Sequence, residues 1–392
     1  MDQYAKQKYS SSIPIGGADD NYNRRLIEGL EQNGEKIVLL NYMPYHSFPS
    51  GRFIFYKREE TKNNGRVTIN CSYVNIPIFK NLSLKKSLVK EAEKIIEKVN
   101  NDEKIYIIIY DLYDAFLMAG IDLRRRFKNV RTVLIVPSIP TVDVPRKGMK
   151  RMLTGFLANK TVRLAQMMDS FVFLTKQMNE ILNKSGKPNI VIEGITPNIE
   201  SEVIGNIPKE LENRKYVLYS GRLDRVYGID KLVTAFLDEE LSNISLVLCG
   251  VGDCEKMIKD YASKTKNIIY LGFLNRPELN ALQKNAYILI NTRTEKGEYT
   301  KYSFPSKTME YLVSGNPILM FKLPGIPNEY DDYINYIEND TVKDIKNAII
   351  KLCKEIENES AIRKAKKGYD YVVKEKSCKK QGEMVIKLVK LL

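Results

Sequence analysis

The sequence predicts an α/β protein of two doubly wound, parallel-sheet domains facing a central cleft. Three observations carry this. Short β-branched apolar runs recur along nearly the whole chain, helical periodicity fills the intervals between them, and one polar connection breaks the alternation near the middle. The runs are continuous rather than alternating, which marks strands buried on both faces under flanking helices. Such folds bind ligands at the C-terminal ends of their strands.

In the first half, residues 36–40 (KIVLL) read as a strand and 84–99 as a helix, followed by strands at 105–110 (IYIIIY), 130–136 (VRTVLIV) and 170–174 (SFVFL). In the second half the apolar runs fall at 216–219 (YVLY), 244–248 (ISLVL), 268–271 (IIYL), 287–290 (YILI) and 317–321 (PILMF). The connection TPNIESEVIGNIPKELENR, 196–214, is rich in Pro, Gly, Asn and Glu and poor in apolar clusters. It divides a first domain, 1–205, from a second, 206–375, with the last segment, about 376–392, placed to pack back on the first. A chain of 392 residues exceeds one ordinary core, and 43% hydrophobic with 28% charged residues is a globular composition.

Composition also narrows the chemistry. The longest apolar run, 105–110, is far short of the ~20 residues that span a bilayer. MDQYAKQKYS has no apolar signal-peptide core, so a cytosolic protein is expected. Five scattered cysteines read as reduced thiols, and the single histidine, His46, disfavours a zinc site or a Ser-His-Asp triad. With no clustered acidic motif, metal-independent chemistry is expected and no cofactor is called for.

The net charge of +14 admits nucleic acid, an anionic membrane surface or a phosphorylated substrate as partners. Residues 145–168 hold six basic residues and no acid, with Met149, Met152, Leu153, Phe156 and Leu157 at helical spacing. This reads either as a peripheral membrane contact or as a helix packed on its own core with solvated cations. Aromatic and basic residues are not interleaved as in single-strand binders, so nucleic acid is not expected.

Glycine recurs at the strand-to-helix turns of the second half. YVLYSGRLDRVYGIDKL places Gly221 and Arg222 after one strand, and LVLCGVGDCEKM places Gly250 and Gly252 after the next. Glycine admits close approach of an anion, though it is also ordinary turn chemistry, and Arg222 suits bidentate phosphate contact. In KYSFPSKTMEYLVSGNPIL, residues Ser303, Ser306, Lys307, Glu310 and Ser314 share one face of a helix, opposite Met309 and Leu312. Gly315 and Pro317 end it. Hydroxyls and a lysine at the helix start suit phosphate, and Glu310 one turn on suits a ribose diol, together the footprint of a nucleoside diphosphate. A capped amphipathic helix with a solvated outer face is the other reading. Asp111 and Asp114, at the end of strand 105–110, are candidates either to orient an acceptor or to cap a helix.

SGRLDRVYGIDKLVTAF, LVLCGVGDCEKM, IIYLGFLNRPELNALQKNAYILIN and FPSKTMEYLVSGNPIL resemble, in order and spacing, the donor domain of GT-B glycosyltransferases with Rossmann-like halves, close to the family-4 retaining enzymes of bacterial capsule and exopolysaccharide synthesis. IGGADDNYNRRLIEGLEQNG, IIIYDLYDAFLMA, VLIVPSIP and DSFVFLTKQMNEIL extend the likeness through the first domain. The resemblance implies that Glu310 is the second glutamate of a Glu-x7-Glu motif on the ribose, and that Arg222 neutralises the donor diphosphate. It further implies that Gly16 and Gly17 form the loop closing over the donor, and that Phe273 and Leu274 meet the nucleobase. Two positions depart from the pattern. Tyr302 stands where the first glutamate belongs, with Glu295 and Glu298 in the preceding loop as substitutes whose reach spacing does not fix. Tyr227 stands where the family has a lysine, a charge that Lys307 can replace.

What is implied is transfer of a sugar from a UDP- or GDP-sugar to a glycan or lipid-linked acceptor, retaining and metal-independent, at the inner face of the plasma membrane. Arg222 and Lys307 would act on the leaving group. A nucleotide-sugar epimerase and a non-catalytic scaffold subunit are the alternatives.

Overall fold

Parallel pairing of neighbouring strands dominates both halves of the chain. The computed structural model describes residues 18–63, 65–139, 149–197, 204–295 and 298–392. They divide into a first unit, running to Ile195 and resuming at Cys378–Leu392, and a second unit, Thr196–Ser377.

The first unit runs α1 (Ala18–Gln32), β1 (Val38–Asn41), β2 (Phe55–Tyr56), β3 (Glu59–Asn63), β4 (Arg66–Asn70), β5 (Tyr73–Val74), α2 (Pro77–Ile96), β6 (Ile105–Tyr110), α3 (Asp114–Arg126), β7 (Val130–Val136), α4 (Met149–Ala165), β8 (Ser170–Phe173), α5 (Met178–Leu182) and β9 (Asn189–Val191). Strands β6-β7-β8-β9 form one parallel sheet, with Ile105 opposite Val130 and Tyr110 opposite Ile135. β1 pairs parallel with β4, and β3 closes that sheet antiparallel. Neither β3 nor β4 belongs to the expected series of apolar runs. The hairpin reads EETKN, largely exposed, and RVTIN, half-buried with Ile69 in the core, and carries no continuous hydrophobic signal. Helix α2 starts seven residues before the expected 84, because Pro77 with its fixed φ suits a first helical turn.

The second unit runs β10 (Tyr216–Ser220), α6 (Ile229–Ala235), β11 (Ser245–Cys249), α7 (Glu255–Ala262), β12 (Ile268–Gly272), α8 (Arg276–Asn285), β13 (Ile288–Asn291), α9 (Ser306–Ser314), β14 (Ile318–Phe321), β15 (Asn335–Ile337), α10 (Val342–Glu357) and α11 (Ser360–Glu375). One six-stranded sheet has the order β12-β11-β10-β13-β14-β15, every pair parallel. Successive side chains go to opposite faces, as the strand period of two requires. Val217, Leu246 and Ile288 join one core layer, while Leu218, Val247 and Leu289 join the other, all without solvent exposure. Each such side chain contributes about 1.5–3 kcal/mol by leaving water. The order reverses between β10 and β13, a topological switch point at the strands' C-terminal ends.

The last helix, α12 (Cys378–Val389), returns to the first unit and lies along α1. They meet backbone to backbone: a Cβ on Gly29 would lie 2.0 Å from the Cys378 carbonyl oxygen, and one on Gly382 2.4 Å from the Gly29 carbonyl carbon. Among the described residues no helix is long and apolar enough to cross a membrane.

Candidate functional site

The loops that leave β10 and β11 lie against one another at the switch point. Gly221 N–H donates to the Cys249 carbonyl (2.9 Å), Leu223 N–H to Val251 (3.0 Å) and Cys254 N–H back to Leu223 (2.9 Å). This contact needs the glycines. A Cβ on Gly250, whose φ is 137°, would sit 1.8 Å from the Gly221 carbonyl oxygen, and one on Gly252 2.3 Å from the Leu223 carbonyl carbon. Gly250 and Gly252 therefore have a steric reason of their own, independent of any anion. Gly221 (φ 151°) has nothing closer to its missing Cβ than the Tyr219 hydroxyl at 3.7 Å.

Arg222 projects outward, its side chain 68 % exposed, with Nε and Nη2 on Asp224 Oδ2 at 2.9 and 2.8 Å. The Asp253 amide, and after it Arg222, holds the Asp224 carboxyl below the usual aspartate range. Beyond β12, Phe273 is 83 % exposed, whereas Leu274 packs against the core layer that includes Leu218.

The polar stripe on α9 is shorter than expected. Pro305 sits extended at the N-cap, so the helix begins at Ser306 and Ser303 precedes it. Ser303 Oγ instead accepts from Arg293 Nη2 (3.1 Å). Ser314 leaves the stripe at the other end, donating to the Tyr311 carbonyl (2.7 Å) and accepting from Asn316 N–H (3.2 Å), while Gly315 closes the helix at φ 76°. The inner face is apolar apart from Thr308, and the Tyr311 hydroxyl reaches the Ile290 carbonyl (3.3 Å) and Ser220 Oγ (3.4 Å), binding the helix to β13 and β10. Pro305 offers no side-chain acceptor, so the first-turn amides beside exposed Ser306 have no side-chain cap.

Glu310 is the centre of what remains. Its side chain is 9 % exposed, with Oε1 2.8 Å from Arg276 Nη1 and Oε2 3.1 Å from Lys307 Nζ. Burial pushes its carboxyl upward, but the charges of Lys307 and then Arg276 outweigh that and bring it down to about 2. It is an ionised carboxylate held between two cations. Nearby, burial drives the Cys249 thiol up to about 12 against the pull of Lys307, which leaves it an inert protonated thiol.

Arg276 and Arg293 were not among the expected residues. The signal for Arg276 was present: Asn275 and Glu278 form a capping box with Pro277 between them, which fixes Arg276 as the first residue of α8. Arg293 has no such marker, being two residues past a strand in a polar loop. Tyr302 is half-buried at the end of a short 3₁₀ turn, Glu298–Tyr302, and Glu295 is exposed. The Glu298 side chain lies outside the described residues.

In the first unit, Asp111 ends β6 with a left-handed φ of 73°, unusual for an aspartate. Its amide donates to Ile135 (3.0 Å) and its Oδ1 accepts from the Leu112 amide (2.7 Å). Burial raises its carboxyl above the ordinary aspartate value, more than the Leu112 amide lowers it. Asp114 is not a helix cap, since Tyr113 holds that position. Its carboxylate joins α3 to α4 by accepting from Thr161 Oγ1 (2.5 Å) and pairing with Lys160 (3.2 Å). Gly16, Gly17 and residues 145–148 lie outside the described residues, as do the side chains of Met149, Met152, Leu153 and Phe156; the remaining apolar position of that face, Leu157, is 48 % exposed.

Residues 201–369, all within the second unit, match the family model of glycosyl transferases group 1. The chain carries a domain of that kind and is a glycosyltransferase. Its backbone is similar to a structure described as trehalose-6-phosphate from E. coli bound with UDP-2-fluoro glucose (TM-score 0.69, 12% identity, 97% of each chain covered). It is similar also to sucrose-phosphate synthase from Thermosynechococcus elongatus (TM-score 0.64, 16% identity, 96% of this chain and 93% of that one). A third is a UDP-forming alpha,alpha-trehalose-phosphate synthase from Burkholderia xenovorans in complex with glucose-6-phosphate (TM-score 0.65, 11% identity, 97% of each chain). At these identities the likeness establishes the fold, α/β with parallel sheets as in GT-B glycosyltransferases. No curated protein matches the sequence.

Proposed function

We propose that the chain transfers a sugar from a nucleotide-diphosphate sugar, UDP- or GDP-linked, to a glycan or lipid-linked acceptor in bacterial surface polysaccharide or glycoconjugate synthesis, with retention of configuration and without a metal. The observation that carries this reading is the ionised, nearly buried Glu310 between Arg276 and Lys307, one turn into a helix whose first amides lack a side-chain cap. A carboxylate has about four acceptor positions, and the two cations occupy two. The others suit the 2′ and 3′ hydroxyls of a ribose, and a diphosphate then falls toward Ser306, Lys307 and the start of α9. Ser303 and Tyr302 line the approach, Gly221 and Arg222 serve the phosphates from the β10 side, and Phe273 with Leu274 serves the base. The UDP-2-fluoro glucose and glucose-6-phosphate of the structural neighbours are compatible with such a donor and a sugar acceptor.

Chemically, negative charge grows on the departing diphosphate as the glycosidic bond breaks. Arg222, Lys307 and the helix start meet that charge in this reading, and each such contact is worth about 2–4 kcal/mol at the transition state. The leaving phosphate itself takes the acceptor's proton, and Asp111 orients the acceptor. Asp114, engaged with Thr161 and Lys160, supports α4 instead. The α4 region around 145–168 provides a peripheral membrane contact. Tyr302, in the place of a glutamate, favours a second reading as a non-catalytic scaffold. Incubation with a panel of UDP- and GDP-sugars, following nucleotide release with and without a lipid-linked acceptor, decides between them. Acceptor-dependent release supports transfer, and donor binding with no release across the panel supports the scaffold.

A further inference from the structure

In the first unit, two neighbouring segments carry large apolar side chains that none of the described residues covers. Phe53, Ile54 and Phe55 lie on one, and Ile78, Phe79 and Leu82 on the other, each between 48 and 84 % exposed. They are locked together rather than loose. β2 pairs with β5, placing Phe55 opposite Val74. Asn75, completely buried, donates its amide to the Ile54 carbonyl (2.6 Å) and its side-chain Nδ2 to the carbonyls of Phe53 (3.1 Å) and His46 (2.7 Å). Two residues on, Pro77 starts α2. The buried side of that helix is Leu84, Leu88, Val89 and Ala92. Its exposed side reads Ile78, Leu82, Lys86, Lys90, one apolar and then one basic half along a single i, i+4 line.

The charge around the patch is one-sided. Residues 41–58 and 71–90 contain no aspartate or glutamate. Arg58 and Lys85 are neutralised by carboxylates from elsewhere, Glu60 with Glu91 and Asp122 respectively. Among the described residues Arg52, Lys57, Lys86 and Lys90 have no carboxylate partner, and the Arg52 guanidinium stands 5.2 Å over the Phe53 ring. Contiguous exposed apolar surface is rare on a protein that stays free in water. Protein interfaces are depleted in lysine, whereas the boundary of an anionic bilayer selects aromatic and aliphatic tips collared by Lys and Arg.

We propose that this surface, Phe53–Phe55 with the first turns of α2, docks on an anionic lipid bilayer, the apolar tips entering the headgroup region while Arg52, Lys57, Lys86 and Lys90 meet lipid phosphates. The proposal does not depend on which sugar is transferred, or on transfer at all. The test uses the full chain with vesicles of phosphatidylcholine alone and of phosphatidylcholine with phosphatidylglycerol, read by flotation. Wild type floats with the anionic vesicles, less as salt rises, and little with the neutral ones. Ile78→Ser with Phe79→Ser, Phe53→Ser with Phe55→Ser, and Lys86→Glu with Lys90→Glu each weaken partitioning about tenfold or more, with unchanged melting temperature. Lys351→Glu, on the second unit, leaves it intact. Wild-type protein that stays at the bottom with anionic vesicles overturns the proposal. So does binding that all three pairs leave unchanged, because another surface then carries it. A lipid-free dimer abolished by the same substitutions also overturns it, the occupant then being a second copy.

Discussion

Glu310 sets the charge balance of the candidate site, and its titration is visible in stability. A glutamate held near 2 in the folded state and near 4.5 when unfolded stabilises the fold in its ionised form. That contribution is fully present above about pH 4.5 and is lost as pH falls toward 2, amounting to about 3 kcal/mol at neutral pH. Glu310→Gln should therefore melt lower than wild type at pH 7. The difference should shrink as pH is lowered through that window, measured by thermal unfolding at each pH. A constant difference would remove the ion-pair account. Arg276 and Lys307 are partly exposed and rehydrate when Glu310 is lost, so the cost falls below the 3–5 kcal/mol of a fully buried broken pair. In turnover, Arg222→Ala and Lys307→Ala should each lower kcat about a hundredfold, the value of one lost transition-state contact. Near-normal kcat in both would dismiss the leaving-group role. Both residues, with Glu310, stood out in the sequence because charge beside glycine or at helical spacing is a local signal. The Arg276–Glu310 contact joins residues 34 positions apart, which no local pattern encodes.

At the scale of elements, the strand-end loops of the second unit are held by absence of side chains. Gly250→Ala must adopt φ 137° and force its Cβ against the Gly221 carbonyl, so it should cost more than about 3 kcal/mol in urea unfolding. Gly272→Ala meets the same kind of dihedral (φ 67°) but open space, and should cost about 1–2 kcal/mol. If Gly250→Ala keeps wild-type stability yet loses donor binding, the glycine serves ligand approach instead of loop packing. The buried strands of this unit and β7 and β8 of the first were legible because continuous apolar runs announce two-face burial; β6 was legible from the same signal, though only its Ile109 is fully buried and the rest is half-buried. β3, β4 and β15 were not: β3 is polar and largely exposed, β4 interleaves Val67 and Ile69 with polar residues, and β15 is only Asn335–Ile337. The start of α9 was misplaced because helical phase alone was followed across Pro305, whose preceding residues do not continue a helix.

On the scale of the whole molecule, the first unit is completed only by a late return of the chain. Helix α12 closes the first unit, where Val385, Leu388 and Val389 share a core with Tyr22, Leu26, Val133 and Val172. The sequence places the last segment against the first domain but does not single out α1 as its partner, because Gly29 and Gly382 read locally as residues that weaken helices. Only the folded chain shows them as the point where two helices touch. Removing residues 378–392 uncovers that core and takes away at least three buried side chains worth about 1.5–3 kcal/mol each. A domain's whole stability is about 5–15 kcal/mol, so the loss is comparable with the total. A chain ending at Ser377 should lose the calorimetric transition of the first unit and bind a hydrophobic dye. The second unit, whose sheet and both core layers lie within Thr196–Ser377, should keep its own transition. Gly382→Val, which pushes the helices apart without shortening the chain, should lower the same transition selectively. Loss of both transitions together in either variant would show that the units do not fold independently.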